Sequence, residues 1–556
     1  MFNLTKIICT IGPSSNSPEM LKKLIDAGMD VARLNFSHGA HETHLENINK
    51  IRKVSKETGK YIAILADLQG PKIRVAKLPD GPLELKNEAL VTITTREETF
   101  GPDIIPTVYK GLPKDVKPGS VILLDDGLLE LSVVEVVSET DVKCRVVKGG
   151  LLKEKKGINL PNVKVSAPSV TEKDREDLEF ILKNDVDYIA LSFVRHASDI
   201  EEVKGIIHGH KLTLPVIAKI ERPEAVTNFD SILKAADGIM VARGDMGIEV
   251  SPEKVPQIQK NIISKCNYEG KPVIVATQML ESMIENPRPT RAEASDVANA
   301  IIDGTDAIML SGETASGKYP HEAVLMMSKI SAEMEEFISK NQKIGSEHKM
   351  NPLFMVADGV CHATTQTAKD LNAKMIVTYT ESGSTALLVS KYRPKMPILA
   401  VTMSEKIARR MNLYWGVLPY VIEKVNSTDQ MLISTNSAAL KTGLVKNGDF
   451  IVISGGIPIG KAGTTNLMKV SRIFEPSAVS VESNNGIMVY NDEARNVKIT
   501  LDLSKCTGCG LCVTSCAFKI FGYQNNKTFV NSDNLKKCMK DGLCIEKCPS
   551  GVIKIE

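Results

Sequence analysis

At 556 residues the chain is too long for one hydrophobic core, and its length predicts roughly three or four domains. Apolar content of 43% and charged content of 24% are those of a globular protein, and a net charge of +2 leaves too little basic excess for a general nucleic-acid binder. No run of about 18 apolar residues occurs and "MFNLTKIICTIG" has no apolar stretch bounded by a cleavage site, so neither a membrane span nor a signal peptide is expected, and a reducing, cytoplasmic location follows.

From residue 1 to about 335 the chain carries eight short β-branched runs: "KIICTIG", "VARLNFS", "IAILADL", "YIALSFV", "PVIAKIE", "GIMVARG", "PVIVAT" and "DAIMLSG". Helix-period segments such as "SPEMLKKLIDAG" separate most of them. Continuous apolar strands alternating with helices indicate a parallel sheet buried on both faces. Eight units predict an α/β fold closed into a (β/α)₈ barrel, with an open doubly wound sheet as the competitor. The barrel is expected over 1–70 and 168–335, because the third connection is far too long. Its alternating runs "LVTITT", "SVILLDDGLLELSVVEVV" and "DVKCRVVKGG" read as a β-rich domain inserted over 71–167. A second α/β set occupies 350–475, with strands "KMIVTYT", "PILAVTM", "LPYVIE" and "DFIVISGG". Small polar residues in "PSAVSVESNNG" read as the start of a linker over 476–496. A last domain is expected over 497–556.

In such a barrel the working side chains project from the carboxyl ends of the strands. Those ends deliver Arg33, Asn35, Ser37 and His38, then Asp67, Lys72 and Arg74, then Lys219 and Glu221, Asp245, Thr277, and Ser311 with Glu313. Each has a structural reading taken alone: Lys219 as a snorkelling edge lysine, Asp245 or Thr277 as a helix cap. Together at one rim they suggest charge chemistry. Glu221 and Asp245 leave neighbouring strands and offer two hard oxygen ligands for Mg²⁺ or Mn²⁺. Lys219, Arg33 and Arg74 surround the same point with positive charge, which suits phosphoryl transfer.

The strings "TKIICTIGPSS", "RLNFSHG", "DLQGPKIR", "AKIERPEAV", "MVARGDMGIE" and "ATQMLESMIENPRPTRAEASDVANAIIDGTDAIMLSGET" resemble the pyruvate kinase family, in family order. The resemblance spans about residues 1–475. It implies a barrel domain, an inserted lid, an allosteric effector domain, a homotetramer, and glycolytic transfer of phosphate from phosphoenolpyruvate to ADP, giving pyruvate and ATP. It also implies roles. Lys219 faces the transferring phosphoryl group and the developing enolate, and Glu221 and Asp245 hold the divalent ion. Amides around Gly244 and Asp245 receive the substrate carboxylate. Arg33 pairs with phosphate oxygens, Asn35, His38 and Arg74 line the nucleotide side, and Lys156 reaches in from the lid. Thr277, with Ser311 behind it, borders the enolate face. Many members bind K⁺ through positions matching Asn35, Ser37, Asp67 and the Leu68 carbonyl, with a Glu after the Gly-Pro. Here that position is Lys72, whose ammonium is expected to stand in for K⁺.

"TYTESGSTALLVSKY" runs strand, small-residue turn, helix, and clusters Thr380, Ser382, Ser384 and Thr385 at the helix start. An ordinary capped helix is one reading and a phosphate nest the other. The resemblance makes it the effector site, with "GGIPIGKAGTTN" as partner loop. Glu381 stands where bisphosphate-responsive members tend to carry Lys, so AMP or a sugar monophosphate is the expected effector.

Seven of the eleven cysteines crowd the tail, while Cys9, Cys144, Cys266 and Cys361 read as buried structural thiols. "CTGCGLCVTSC" is a C-x₂-C-x₂-C-x₃-C iron–sulfur signature, and a zinc reading fits its spacing poorly. Residues 497–556 resemble a two-cluster bacterial-type ferredoxin, an α+β fold. On that template the fourth cysteine of each run serves the other cluster. One four-iron cluster is then expected on Cys506, Cys509, Cys512 and Cys548. The other, of four or three irons, is expected on Cys516, Cys538, Cys544 and, if anything, Asp541. The alternative is that Asp541 faces solvent in a turn. An active kinase with a redox-sensing or partner-docking module is the leading reading, against an electron carrier on an inactive scaffold and a purely structural plug.

Overall fold

The computed structural model describes residues 3–78, 81–97, 101–341, 355–459, 463–473, 480–492, 495–535 and 537–556. Two compact units partition the chain, residues 1–438 with 452–469 and residues 439–451 with 470–556.

The first three apolar runs form strands β1 (Lys6–Thr10), β2 (Met29–Asn35) and β3 (Ala63–Asp67). An inserted set follows: β4 (Leu83–Leu85), β5 (Leu90–Thr94), β6 (Ile104–Pro106), β7 (Val121–Leu124), β8 (Leu129–Val136), β9 (Asp141–Lys148), β10 (Gly150–Leu152) and β11 (Ile158–Asn159). The chain then returns as β12 (Tyr188–Leu191), β13 (Val216–Ile220), β14 (Gly238–Ala242), β15 (Val273–Ala276) and β16 (Ala307–Leu310). These eight parallel strands close in the order β1-β16-β15-β14-β13-β12-β3-β2, so the expected barrel forms and the open sheet does not. Period-two alternation splits each strand between two cores. Ile7 and Cys9 face the helices, whereas Ile8, Val31, Leu65, Tyr188, Ile217, Met240, Ile274 and Met309 fill the barrel interior.

That interior column continues into Leu413 and Tyr414 of the later α/β set. The Tyr188 hydroxyl donates to the Arg410 carbonyl at 2.6 Å, and Arg409 pairs with Asp185 and Asp187 at 2.6 and 3.0 Å. The amino end of the barrel is thus stoppered.

Helix starts follow local chemistry. In "PTRAE" the Thr290 hydroxyl accepts from the Glu293 amide at 3.2 Å while the Glu293 carboxylate accepts from the Thr290 amide at 2.7 Å. This capping box opens helix Arg291–Ile302, and replacing such a cap by Ala typically costs ~1 kcal/mol. The inserted strands make a six-stranded sheet, β11-β7-β8-β9-β5-β6, beside a two-stranded ribbon of β10 and β4, and bury a hydrophobic core of their own. The later set forms a five-stranded sheet in the order β19-β18-β17-β20-β21, from β17 (Met375–Tyr379), β18 (Ile398–Thr402), β19 (Val417–Val421), β20 (Phe450–Gly456) and β21 (Thr465–Arg472).

In the tail, the sequence reading of 476–496 as a linker is corrected. β22 (Ser480–Asn484) and β23 (Ile487–Asp492) pair antiparallel across Asn485-Gly486, both at positive φ (47° and 80°). A two-residue Asn-Gly connection of this kind matches the twist of its strands, so turn chemistry outweighs the polar composition. Residues 476–479 and 493–494 of that expected linker lie outside the described residues. β23 pairs with β24 (Val497–Asp502), and a hairpin of β25 (Phe521–Gln524) and β26 (Lys527–Val530) follows. β27 (Ile553–Ile555) closes a four-stranded sheet β22-β23-β24-β27. Among the described residues no helix is long and apolar enough to cross a membrane.

Candidate active site and cysteine centres

Strand ends bring the rim residues together around one buried carboxylate. Asp67, at the end of β3, is 1% exposed. Its Oδ2 accepts from Arg33 Nε at 2.7 Å and its Oδ1 from Lys219 Nζ at 3.2 Å. Burial opposes its ionisation, but the Lys219 and Arg33 charges together outweigh burial and hold its carboxyl below the ordinary range. Lys219 also donates to Ser192 Oγ at 2.7 Å, and Ser192 Oγ donates to the Leu68 carbonyl at 2.7 Å. Arg33 reaches Thr10 Oγ1 at 3.0 Å. Burial disfavours the charged ammonium of Lys219, yet Asp67 and Glu221 raise its pKa above the usual lysine value. It stays a fixed cation.

Glu221 is fully buried, and its Oε2 accepts the Phe193 amide at 2.7 Å. Lys219 Nζ stands 3.0 Å from Glu221 Oε1 as an ion pair without hydrogen-bond alignment, so that oxygen has no hydrogen-bond donor among the described residues. Burial, with Asp245 adding repulsion, pushes the Glu221 carboxyl up. Asp245 opens the short helix Arg243–Glu249, and Lys72 Nζ lies 3.2 Å from its Oδ1. Lys72 was expected to stand in for a cation at Asn35, Ser37, Asp67 and Leu68; the geometry pairs it with Asp245, while Asp67 is held by Arg33 and Lys219. Asn35 turns its Oδ1 to the Ser37 amide at 3.1 Å.

Thr277 follows β15 at φ 71°, with Gln278 at φ 53°. A β-branched residue there is strained, and the strain points its hydroxyl at the Gly244 amide, which donates to Thr277 Oγ1 at 2.7 Å. Ser311 gives its amide to Glu313 Oε2 at 2.7 Å. On the lid side Arg74 donates to the Lys155 carbonyl at 3.1 Å, and Lys156 pairs with Asp125 at 2.7 Å, so Lys156 is held on the lid. His38 lies within charge range of Arg74, Arg33 and Lys72; burial and these cations lower its pKa, which keeps the ring neutral.

The tail cysteines fall into two groups. Cys506, Cys509, Cys512 and Cys548 line one cavity with Thr507, Gly508 and Tyr523. Burial raises the Cys512 thiol, with Cys548 near enough to add to it. Burial pushes the Cys544 thiol up to about 11, with Cys516, Cys538 and Asp541 contributing. Among the described residues no three His, Cys, Asp or Glu side chains converge on a single-ion site. A cluster does not require that, since each thiolate binds its own iron. Asp541 is exposed, and its Oδ1 accepts the Leu543 amide at 3.2 Å. Cys9, Cys144, Cys266 and Cys361 are all buried, as expected.

The pyruvate kinase barrel domain matches residues 2–324, and the pyruvate kinase alpha/beta domain matches residues 358–471. Pyruvate kinases from two Staphylococcus aureus strains, MRSA252 and USA300, are each 51% identical over 477 residues, covering 85% of this chain and 81% of theirs. The chain belongs to the pyruvate kinase family. A pyruvate kinase from Cryptosporidium parvum superposes with a TM-score of 0.77 at 41% identity, covering 85% of this chain and 96% of that one. This protein is therefore a phosphotransferase, and a 4Fe-4S dicluster domain, matching residues 498–549, is joined to its pyruvate kinase domains.

In the α/β set of this kinase, Thr380, Glu381, Ser382, Ser384 and Thr385 line one pocket with Pro458, Ile459 and Thr465 of the facing loop. Thr380 Oγ1 accepts the Gly383 amide at 3.0 Å, and Thr385 and Thr465 share a 2.8 Å hydroxyl contact. Gly460, Lys461 and Ala462 of the partner loop lie outside the described residues. Sequence reasoning missed Ser192. The polar residue after four buried positions in "YIALS" carried the same strand-end signal as its neighbours. It also missed Arg222 and Glu249, whose partners lie on the lid.

Proposed function

We propose that phosphoenolpyruvate gives up its phosphoryl group to ADP at the rim formed by Arg33, Asp67, Lys219, Glu221 and Asp245. The single observation carrying this reading is Lys219: a buried ammonium, 9% exposed, fixed between Asp67, Ser192 and Glu221 beside a carboxylate oxygen with no donor. The residues fit a divalent cation, because Glu221 and Asp245 repel each other across the site and Glu221 Oε1, although ion-paired to Lys219, accepts no hydrogen bond. A Mg²⁺ or Mn²⁺ ion bound there supplies Lewis-acid charge to substrate oxygens. Lys219 lies opposite the transferred group and stabilises the charge it sheds. Asp67 orients both Lys219 and Arg33, so the two cations present a fixed pair to phosphate oxygens. Thr277 fixes the Gly244 turn against the enolate face, with Ser311 behind it. Amides at Gly244 and Asp245 are the carboxylate's place, which requires the Gly244 amide to exchange its Thr277 bond. Asn35, His38 and Arg74 border the nucleotide, with Lys156 brought in by lid closure.

Lys72 brings its ammonium to the metal pair itself. Turnover without K⁺ is expected, and a large saturable K⁺ activation at constant ionic strength would refute it. The hydroxyl-lined pocket at Thr380–Thr385 supports a phosphorylated effector, and Glu381 disfavours a second phosphate. Titration should therefore favour AMP or a sugar monophosphate over a bisphosphate. Cys506, Cys509, Cys512 and Cys548 fit one cluster, and Cys516, Cys538 and Cys544 with Asp541 nearby fit the other. Bound clusters supply one-electron redox capacity, which supports a sensing or docking role for the tail.

Lys219→Met tests the site. Losing one transition-state electrostatic partner costs on the order of 10²–10³ in rate, so ATP formation should fall at least that far with an unchanged Tm. Near-normal turnover would refute the assignment.

A further inference from the structure

Four buried polar atoms without a hydrogen-bond partner belong to residues around one cavity between lid and barrel: Asn159 Oδ1, Arg195 Nε, Arg222 Nε and Glu249 Oε2. Asn159, Arg222 and Glu249 are 5%, 6% and 4% exposed. Glu249 Oε1 accepts from Asn159 Nδ2 at 3.0 Å and pairs with Arg222 Nη1 at 3.1 Å. Arg222 Nη2 donates onward to the Val163 carbonyl at 3.0 Å, and Arg195 Nη2 to the Ala167 carbonyl at 2.7 Å. Each of these ties grips the chain as it returns from the lid. The outgoing chain is gripped by Lys72 on Asp245 at 3.2 Å. Asp245 and Glu249 lie four residues apart on the helix Arg243–Glu249, hence on one face. One short helix therefore holds both crossings of the lid.

We infer that Glu249 is a positioning residue: through Asn159 and Arg222 it sets where the returning lid strand, with Lys156 two residues before it, stands over the Glu221–Asp245 pair, and so sets nucleotide affinity. The inference rests on the lid side being the nucleotide side. A cation held by Asp245 would compete with Lys72 for that carboxylate and loosen the outgoing crossing. Glu249 keeps the returning one fixed, so the lid pivots about a held strand. Asn159 gives this carboxylate a buried donor and Arg222 a buried ion pair, while Glu224 and Asp245 face it as like charges.

In the full chain, Glu249→Gln keeps an acceptor for Asn159 and removes the ion pair. Its ADP affinity, measured by calorimetry without phosphoenolpyruvate, should weaken about tenfold, or about 1.4 kcal/mol. KM for ADP should rise in parallel, while kcat and KM for phosphoenolpyruvate move less than about threefold. Arg222→Met strands the buried carboxylate, so adding Glu249→Gln to it should restore part of the lost affinity. Hydrogen exchange across residues 157–165 should quicken in Glu249→Gln. Unchanged ADP affinity, with or without a lower Tm, overturns the inference, as does an equal loss for both substrates. Because calorimetry needs no turnover, failure here is distinct from failure of the Lys219 assignment.

Discussion

Asp67 is a buried carboxylate shared by two cations, and its removal strands both. Asp67→Asn should lower stability by about 3–5 kcal/mol, the range for breaking a buried pair, and should cut turnover because Arg33 and Lys219 lose their common anchor. The pH sign follows from its lowered pKa. Its stabilisation is complete above the ordinary carboxylate range and is lost as pH falls through the lowered folded value. Thermal melts across the acid range should show that loss in the native chain and lack it in Asp67→Asn. In the tail, Asp541 spends one oxygen on the Leu543 amide and faces solvent, a weak partner for iron beside three thiols. Mild anaerobic oxidation should yield a three-iron resonance signal from this cluster alone. Asp541→Cys should give two oxidation-resistant four-iron signals, and their presence in the native chain would refute the asymmetry. That Lys219, Glu221 and Asp245 come together at one rim was legible, because a strand-end position carries its own meaning. Glu249 was not. Its role depends on a lid residue, Asn159, 90 positions away, which spacing does not encode.

Among elements, the turn after β15 holds two consecutive left-handed residues, Thr277 and Gln278. Strain there is of order 1–3 kcal/mol. Thr277→Gly should relax it, keeping or raising Tm, while deleting the hydroxyl that accepts the Gly244 amide and sharply lowering kcat. Thr277→Ser keeps that hydroxyl and should retain most activity. If both variants turn over alike, the hydroxyl has no role. The barrel strands were readable because each is a continuous buried run. The β22–β23 hairpin was misread because its polar composition masked the Asn-Gly signal. The Lys72–Asp245 pair was not foreseen, since the partner of Lys72 depends on how the root of the lid folds against a residue 173 positions away.

For the whole molecule, the pyruvate kinase matches end at residue 471, and the five-stranded sheet ends with β21 at Arg472. A chain ending at residue 475 should therefore fold and form ATP. Loss of folding would favour the plug reading, whereas retained turnover with altered response to oxidants would favour a sensor. The stoppered barrel has its own consequence. Protein interiors pack like organic crystals and compress little. Tyr188, bonded to the Arg410 carbonyl, sits two residues before Ala190, whose register partner is Asp67. At about 3.3 Å per residue, roughly 7 Å of strand separates the stopper from the register of Asp67. In such packing a shift at Arg410 leaves Tyr188 little room to stay in place, so Arg410 variants should be felt along β12 as far as the register of Asp67.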